Sequence, residues 1–220
     1  MNSIFVTGTD TEVGKTRLSV ALVEVLQQQG KKVAVMKPIA SGCEMTADGL
    51  RNDDAMKLRQ QADVDLAYDL VNPYAFEPAI APHIAAKQVS VEIDLELIKQ
   101  HFELIQNQAD AVVVEGAGGW LVPINKSQTM ADLAKRLALP VVLVVGVRLG
   151  CINHALLTVE AIKQSGLSLS GWIANNVEEN PQSAEIITTL EHTISAPLLG
   201  EIPYLSAQQN AADYLNVEKL

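Results

Sequence analysis

The residues best suited to chemistry lie near the amino terminus, where positions 5–16 combine glycines, hydroxyl side chains and a lysine. An apolar run ends at Gly8, a loop follows, and Lys15 opens an amphipathic stretch. The unpaired N–H groups of a helix N-terminus attract phosphate. Gly14 lets the backbone come close to the phosphates, Lys15 can reach them, and the Thr16 hydroxyl can bind Mg2+. This strand–loop–helix order predicts a phosphate-binding loop rather than a chance Gly-Lys-Thr.

The predicted loop departs from the common pattern in its length. Five residues, 9–13, separate its two glycines, one more than in the pattern G-x-x-x-x-G-K. It also lacks the additional lysine that some ATP-dependent switch proteins carry near the start of this loop. Such a variant is more informative about family than the generic pattern.

A second lysine, Lys37, ends the second apolar run of the sequence. Ligands of parallel sheets bind at the carboxyl ends of the strands, so Lys37 should lie near Lys15. Two lysines there could flank a transferred phosphoryl group. The alternative is an edge lysine that extends into solvent.

Two acidic segments follow predicted strands and could serve Mg2+. Residues 51–54 precede a helix that Asn52 or Asp53 should cap, which leaves a further carboxylate for the metal. Glu115 ends a wholly apolar strand, where burial is costly unless the carboxylate meets a cation. It is therefore the expected second Mg2+ contact, and the glycines after it allow close backbone approach.

The fifth predicted strand ends at Asn175 and Asn176. A side-chain amide has donors and an acceptor, so it can read the edge of a purine. A turn asparagine explains this position equally well. Residues 200–203 close the last strand and would lie nearby.

Composition favours one α/β domain. The chain has 220 residues, of which 48% are hydrophobic and 4% aromatic, as in an aliphatic parallel sheet. The net charge of -10 argues against general nucleic-acid or anionic-membrane binding.

Cys43 and Cys151 lack metal-site or disulfide spacing and are predicted to be reduced thiols. The sequence shows no signal peptide, and the apolar run 137–147 is too short to span a bilayer, so we expect a cytoplasmic protein.

Apolar and amphipathic stretches alternate, which predicts a single-domain P-loop NTPase-like fold over residues 1–220, with a mostly parallel sheet and helices on both faces. Predicted strands cover residues 3–7, 32–37, 111–115, 140–145, 170–175 and 198–202. Predicted helices cover residues 15–29, 54–61, 95–108, 130–138, 153–165 and 182–191. The proline-containing segment 71–86 is the longest irregular stretch and is predicted to be a functional loop.

Taken together, these motifs resemble one known family, the dethiobiotin synthetases. The five-residue glycine spacing is that family's own variant, and the matching stretches span nearly the whole chain in order. They are residues 6–16, 37–38, 40–42, 49–52, 54, 71–74, 82–83, 114–120, 143–147, 149–154, 171–172 and 197–203. Residues 75–81 and the tail after residue 205 depart from the family's pattern.

The resemblance implies an ATP- and Mg2+-dependent cyclo-ligase of biotin biosynthesis that works as a homodimer with its sites near the subunit interface. Its substrate is 7,8-diaminopelargonate, one amine of which captures CO2 as a carbamate. ATP phosphorylates the carbamate to a carbamic–phosphoric anhydride. The second amine then closes the ureido ring of dethiobiotin and releases phosphate.

The same resemblance implies roles for individual residues. Lys15 and Lys37 would be catalytic, and the Mg2+ ligands would be Thr16, Asp54 and Glu115. ATP would be bound by Glu12, Val13, Gly14, Lys15, Thr16, Asp54, Glu115, Gly116, Ala117, Gly118, Asn175, Asn176 and Pro203. Thr11 and Ser41 would face the diamine and carbamate. The partner subunit's substrate would be reached by Gly150, Cys151, Ile152 and Asn153, through N–H groups at a helix start that Asn153 is predicted to cap.

Two other function classes fit a phosphate-binding loop. An ATP-dependent switch protein acting on a membrane or DNA should carry the additional loop lysine, a basic patch or an amphipathic membrane tail, and the sequence shows none of these. The ATP-binding half of an amidotransferase-like ligase would need a glutaminase partner, and no nucleophile elbow or Cys/His arrangement for one is recognisable. Dependence of ATP hydrolysis on the diamine separates the three classes.

Overall fold

Residues 3–206 and 209–218 are described by the structure, which is a computed structural model. The strands are β1 (Ser3–Gly8), β2 (Val33–Met36), β3 (Ile39–Ser41), β4 (Glu44–Thr46), β5 (Gly49–Arg51), β6 (Tyr74–Phe76), β7 (Ala111–Gly119), β8 (Val141–Val147), β9 (Leu169–Asn176) and β10 (Leu198–Ile202). The helices are α1 (Lys15–Gln28), α2 (Asp53–Gln61), α3 (Tyr68–Val71), α4 (Pro82–Gln88), α5 (Leu95–Gln106), α6 (Met130–Leu137), α7 (Cys151–Gln164), α8 (Ser183–Thr193) and a 3-10 helix (Ala211–Tyr214).

A parallel sheet of six strands forms the centre of the fold, in the order β10-β9-β8-β1-β7-β2. After β1 the chain forms β2 and then β7, which lie together on one side of β1. It then crosses to the other side of β1 and adds β8, β9 and β10. The strand order therefore reverses next to β1, and such a switch point opens a crevice at the carboxyl ends of the strands.

Both faces of the central sheet are buried, which explains why its strands read as continuous apolar runs. Along β8, Val142 and Val144 belong to the larger core cluster, whereas Leu143 and Val145 belong to the smaller one. Successive side chains of a strand point to opposite faces, so each face needs its own covering helices. Trp172 of β9 lies in the smaller cluster and is fully buried.

The predicted fold class is confirmed, and each predicted strand and helix is present, with its ends within four residues of the prediction. Two details were wrong. The segment 71–86 is not irregular, because it contains β6 and the start of α4. Helix α7 begins at Cys151, two residues before the predicted start, and its N-cap is Gly150 rather than Asn153.

The short elements between β2 and α5 form a small unit beside the sheet. Strands β3 and β6 pair in parallel, and β4 and β5 form an antiparallel pair. The sequence did not reveal these strands, because three residues are too few to show an alternating pattern.

The single domain over residues 1–220 stays a prediction, and residues 1–2, 207–208 and 219–220 of that range lie outside the described residues. Among the helices of the described ranges, none is long and apolar enough to cross a membrane.

Candidate active site at the carboxyl ends of the strands

A cavity of about 790 Å3 opens beside the carboxyl ends of β1, β2 and β7. It brings together most of the predicted site residues from four separate parts of the chain. Its wall is formed by Thr11, Glu12, Gly14, Lys15, Thr16, Arg17, Lys37, Ala40, Ser41, Asn52, Asp54, Ala79, Ile80, Ala81, Pro82, Glu115, Ala117, Gly118 and Val122.

The phosphate-binding loop runs from β1 into α1, and its additional residue has a packing role. Val13 is buried, and its side chain lies so close to Gly8 and Gly146 that a Cβ at either glycine would come within 2.8 Å of it. Glu12 and Gly14 both have positive φ, 60° and 85°, which turns the backbone sharply ahead of α1. Loops of this kind present successive N–H groups to an anion.

A buried polar centre joins three of the predicted catalytic and metal-binding residues. Glu115 Oε1 accepts hydrogen bonds from Lys37 Nζ at 2.5 Å and from Thr16 Oγ1 at 2.9 Å. Lys37 also donates to the carbonyl of Gly116 at 3.1 Å and lies 3.6 Å from Asp54 Oδ2. Burial alone would lower the pKa of Lys37, but Glu115 and Asp54 outweigh it and raise the pKa, so the ammonium stays charged.

The oxygen atoms of this centre fit Mg2+. Glu115 Oε2 is buried and has no hydrogen-bond partner among the described residues, although a buried carboxylate oxygen normally has one. The Thr16 hydroxyl and the half-exposed Asp54 carboxylate line the same cavity. Within the described ranges no group of three or more His, Cys, Asp or Glu could hold a metal ion. Mg2+ in phosphate sites needs only one or two carboxylates, because phosphate oxygens and water complete its coordination.

Lys15 lies beside this centre and is held by the loop itself. Its Nζ donates to the carbonyl of Asp10 at 2.8 Å, and the carboxylate of Asp10 pairs with Arg148 at 2.7 Å. Burial, together with the positive charge of Lys37, lowers the pKa of Lys15 from 10.5 to about 8. The cavity therefore contains one lysine whose pKa is raised, Lys37, and one whose pKa is lowered, Lys15.

The two residues predicted to face the substrate also line the cavity. Thr11 lies in the loop, and Ser41 ends β3. The Ser41 hydroxyl is buried and has no hydrogen-bond partner among the described residues. It can donate to and accept from a ligand in the cavity.

The residues predicted to hold a purine lie outside the cavity wall. Asn175 Nδ2 donates to the carbonyl of Val13 at 2.9 Å, so β9 supports the phosphate-binding loop directly. A Cβ on Gly14 would approach this amide to 2.4 Å. Asn176 Nδ2 donates to the carbonyl of Ile202, next to Pro203, and its Oδ1 is buried without a partner among the described residues.

Residues 150–153 are likewise not part of the cavity wall of their own chain. Gly150 has a φ of 91° and caps α7 in a left-handed conformation, which corrects the predicted cap at Asn153. Cys151 is buried, Ile152 is half-buried and Asn153 is exposed. The N–H of Cys151 donates to the carbonyl of Arg148 at 3.0 Å, so the N–H groups of Ile152 and Asn153 are the candidates for binding an anion from outside the chain.

Sequence reasoning missed Arg17, the residue that follows the phosphate-binding loop. Arg17 lines the cavity, and its guanidinium donates to the carbonyls of Leu205, Ser206 and Gln209 at 3.3, 2.7 and 2.7 Å. It thereby ties the segment after β10 to the first turn of α1. No local pattern signals such a role, because the carbonyl acceptors lie more than 180 positions away in sequence.

Comparison with known proteins identifies the family of the chain. The family model described as an AAA domain matches residues 2–212. The chain is 51% identical over 214 residues to the ATP-dependent dethiobiotin synthetase BioD of Pseudomonas aeruginosa strain UCBPP-PA14, covering 96% of this chain and 94% of that protein. It is 46% identical to the ATP-dependent dethiobiotin synthetase BioD of Vibrio campbellii, covering 100% of this chain and 98% of that protein.

Solved structures with a similar fold have very different sequences. The signal recognition particle receptor FtsY of Elizabethkingia anophelis superposes with a TM-score of 0.55 at 12% identity, covering 99% of this chain and 63% of that one. The cell division protein ftsY of Thermotoga maritima has a TM-score of 0.52 at 13% identity, covering 98% of this chain and 64% of that one. At such low identity these structures support the fold alone.

Proposed function

Because the chain belongs to the family of ATP-dependent dethiobiotin synthetases, we propose that its cavity is the site where ATP drives closure of the ureido ring of dethiobiotin. The protein is an ATP-dependent ligase of biotin biosynthesis. The observation that carries the proposal is the position of the phosphate-binding loop beside the buried centre of Thr16, Glu115 and Lys37.

The proposed reaction has three steps. One amine of 7,8-diaminopelargonate adds to CO2 and gives a carbamate. A carbamate oxygen attacks the terminal phosphorus of ATP and displaces ADP, which forms a carbamic–phosphoric anhydride. The second amine attacks the anhydride carbonyl, closes the five-membered ring and expels phosphate.

The two lysines are proposed to stabilise the phosphoryl group while it moves from ADP to the carbamate. Phosphoryl transfer needs positioned positive charge more than covalent chemistry from the protein. Lys37 is held by Glu115 and by the carbonyl of Gly116, so its ammonium needs little reorganisation when charge develops on the phosphoryl group. Lys15 Nζ donates to the carbonyl of Asp10 and would exchange this acceptor for a phosphate oxygen when ATP binds.

Thr16, Asp54 and Glu115 would hold Mg2+, which when bound neutralises charge on the phosphate oxygens. The backbone of residues 12–16 and of residues 116–118 would contact the phosphates, because both segments border the lysines. Thr11 and Ser41 would orient the diamine and its carbamate. The unpaired Ser41 hydroxyl supports this role, because a polar ligand would satisfy it.

Asn175, Asn176 and Pro203 are proposed to hold the adenine. The buried Oδ1 of Asn176 supports this, because the exocyclic amine of adenine could donate to it. Arg17 would keep the segment after β10 close to the nucleotide.

The protein is proposed to act as a homodimer in the cytoplasm, where its co-substrate ATP is available. Gly150, Cys151, Ile152 and Asn153 would bind the carboxylate of the partner subunit's substrate. Their absence from the wall of the cavity in their own chain supports this arrangement. So does the exposure of Leu149 and Leu157, with 98% and 62% of their surface accessible, because exposed apolar side chains next to such a segment suit a protein contact.

Binding of ATP should be coupled to uptake of a proton by Lys15. ATP favours the charged amine and raises its pKa from about 8, so at about pH 8 binding should take up about half a proton per site. Affinity for ATP should fall as the pH rises through about 8, because a growing fraction of Lys15 must first be protonated. Calorimetry in two buffers with different ionisation enthalpies measures the uptake. Lys15→Met should bind ATP weakly and without proton uptake, and absence of uptake by the parent protein would contradict the prediction.

The deciding experiment measures phosphate release with ATP, Mg2+ and bicarbonate, with and without 7,8-diaminopelargonate, followed by mass spectrometry of the product. We expect diamine-dependent release and a product that has gained one carbonyl and lost two hydrogens. Release that ignores the diamine would reject ring closure and leave only a nucleotide site.

A further inference from the structure

A buried tyrosine outside the cavity, Tyr68, connects the chain segments that carry three of the side chains lining the cavity. These side chains are Lys37, Ser41 and Asp54. The Tyr68 hydroxyl in α3 accepts the backbone N–H of Asn52 at 2.7 Å and donates to Asn72 Oδ1 at 2.8 Å. All three residues are almost completely buried, between 2% and 7% exposed. None of them is among the residues to which the proposed reaction gives a role.

One branch of this network leads to Lys37. Asn72 Nδ2 donates to the carbonyl of Lys37 at 2.6 Å, and the N–H of Lys37 donates to the carbonyl of Val71 at 2.9 Å. Both backbone groups of Lys37 are therefore held by the last residue of α3, Val71, and by its C-cap, Asn72. Lys37 lies just after the end of β2, so the sheet itself does not fix its backbone.

The other branch leads to Asp54 and Ser41. Asn52 is the N-cap of α2, and its Oδ1 accepts the N–H of Ala55 at 3.2 Å. The direction of the first turn of α2, which carries Asp54, depends on this cap. Asn52 Nδ2 also donates to the carbonyl of Ser41 at 3.4 Å.

Two guanidinium groups lie over the ring that carries the hydroxyl, those of Arg51 and Arg59, and the second is 5.9 Å from the ring centroid. The Arg51 guanidinium lies 4.2 Å from the ring centroid, over its face, which is the geometry of a cation–π contact. Burial raises the pKa of Tyr68 above its ordinary value, so the phenol keeps its proton and can donate to Asn72. The hydroxyl thus acts at once as a donor to one branch and an acceptor from the other.

We propose that Tyr68 is a positioning residue, whose hydroxyl couples the backbone of Lys37 to the segments that carry Ser41 and Asp54. The inference rests on the proposed function for what these three side chains do during phosphoryl transfer. A displacement of about 1 Å at the reacting groups can cost about 100-fold in rate. A hydroxyl that aligns three of them should therefore affect kcat, although it touches no substrate.

Tyr68→Phe tests this proposal, and Tyr74→Phe is a matched control. The Tyr74 hydroxyl is similarly buried and accepts a backbone N–H, but that N–H belongs to Asp94, the N-cap of α5, which does not line the cavity. We expect Tyr68→Phe to lower kcat by about tenfold or more with little change in KM for ATP. Tyr74→Phe should leave kcat within about twofold of the parent. Equal kcat in the two variants would overturn the proposal.

Amide hydrogen exchange without substrates gives a second readout that does not depend on the reaction. Tyr68→Phe should speed exchange in residues 37–41 and 52–55 together. The increase should be about tenfold for the N–H of Asn52, which loses its acceptor. Tyr74→Phe should speed exchange only near residue 94. Asn72→Ala, which breaks one branch, should affect residues 37–41 but not 52–55. If Tyr68→Phe changes the exchange rate of neither segment, the coupling is wrong, even if the parent protein forms dethiobiotin. If exchange in both segments changes but the parent protein forms no dethiobiotin, the coupling stands and the proposed function fails.

Discussion

Lys37→Gln should lower kcat by about 100- to 1000-fold and leave affinity for ATP nearly unchanged. The reason is that its ammonium stabilises charge that develops only in the transition state, and loss of one such donor typically costs that much. Lys37 is almost fully buried, and its partners Glu115 and Gly116 hold Nζ in place before substrates arrive. Steady-state kinetics and equilibrium binding of ATP separate the two effects.

The stability of the variant must be measured beside its activity. Removing Lys37 leaves the carboxylate of Glu115 fully buried without its nearest cation, and breaking such a pair costs about 3–5 kcal/mol in unfolding free energy. Lys37→Ala would carry this cost in full, so glutamine, which keeps a donor, is the better substitution. The double variant Lys37→Gln, Glu115→Gln removes both charges and should regain stability without regaining turnover. A folded Lys37→Gln protein with near-normal turnover would remove Lys37 from the mechanism.

The long elements of this fold could be predicted because each buries a whole face. The strands β1, β7 and β8 are covered on both faces, so nearly every residue in them is apolar and the run is visible in the sequence. The phosphate-binding loop could be predicted for a similar reason, since its chemistry depends on residues that are neighbours in the chain.

The supporting contacts could not be predicted, because they join distant residues through single hydrogen bonds. Asn175 supplies an example: its position at a strand end predicted a purine-binding or a turn residue, and only the fold shows that its Nδ2 donates to the carbonyl of Val13. Tyr68 reads as an ordinary core residue, and only the fold places its hydroxyl between Asn52 and Asn72. Periodicity reports which residues are buried and says nothing about which polar groups meet there.

Glu115→Gln should raise the Mg2+ concentration needed for half-maximal turnover by about 10- to 100-fold, the range seen when a carboxylate that supports a metal is lost. Glutamine can still accept the hydrogen bonds of Lys37 and Thr16 through its amide oxygen. It removes the negative charge and the unpaired Oε2, which are the two features that fit Mg2+. Turnover measured across a Mg2+ titration at saturating ATP gives the result.

Two neighbouring carboxylates on α2 serve as matched comparisons for this titration. Asp54 lines the cavity with 41% of its side chain exposed, so Asp54→Asn should raise the Mg2+ requirement with little loss of stability. Asp53 is 77% exposed and pairs with Lys57, so Asp53→Asn should change neither quantity.

Stability distinguishes a loss at the metal from a loss of the buried pair. Burial alone lowers the pKa of Lys37, and in Glu115→Gln only the carboxylate of Asp54, 3.6 Å away, still opposes this effect. The buried ammonium has then lost its nearest anion, so the unfolding free energy of the variant should fall. That destabilisation is independent of Mg2+, whereas the shifted Mg2+ requirement is not. If Glu115→Gln is less stable but needs no more Mg2+ than the parent, Glu115 serves Lys37 alone and its assignment to the metal is wrong.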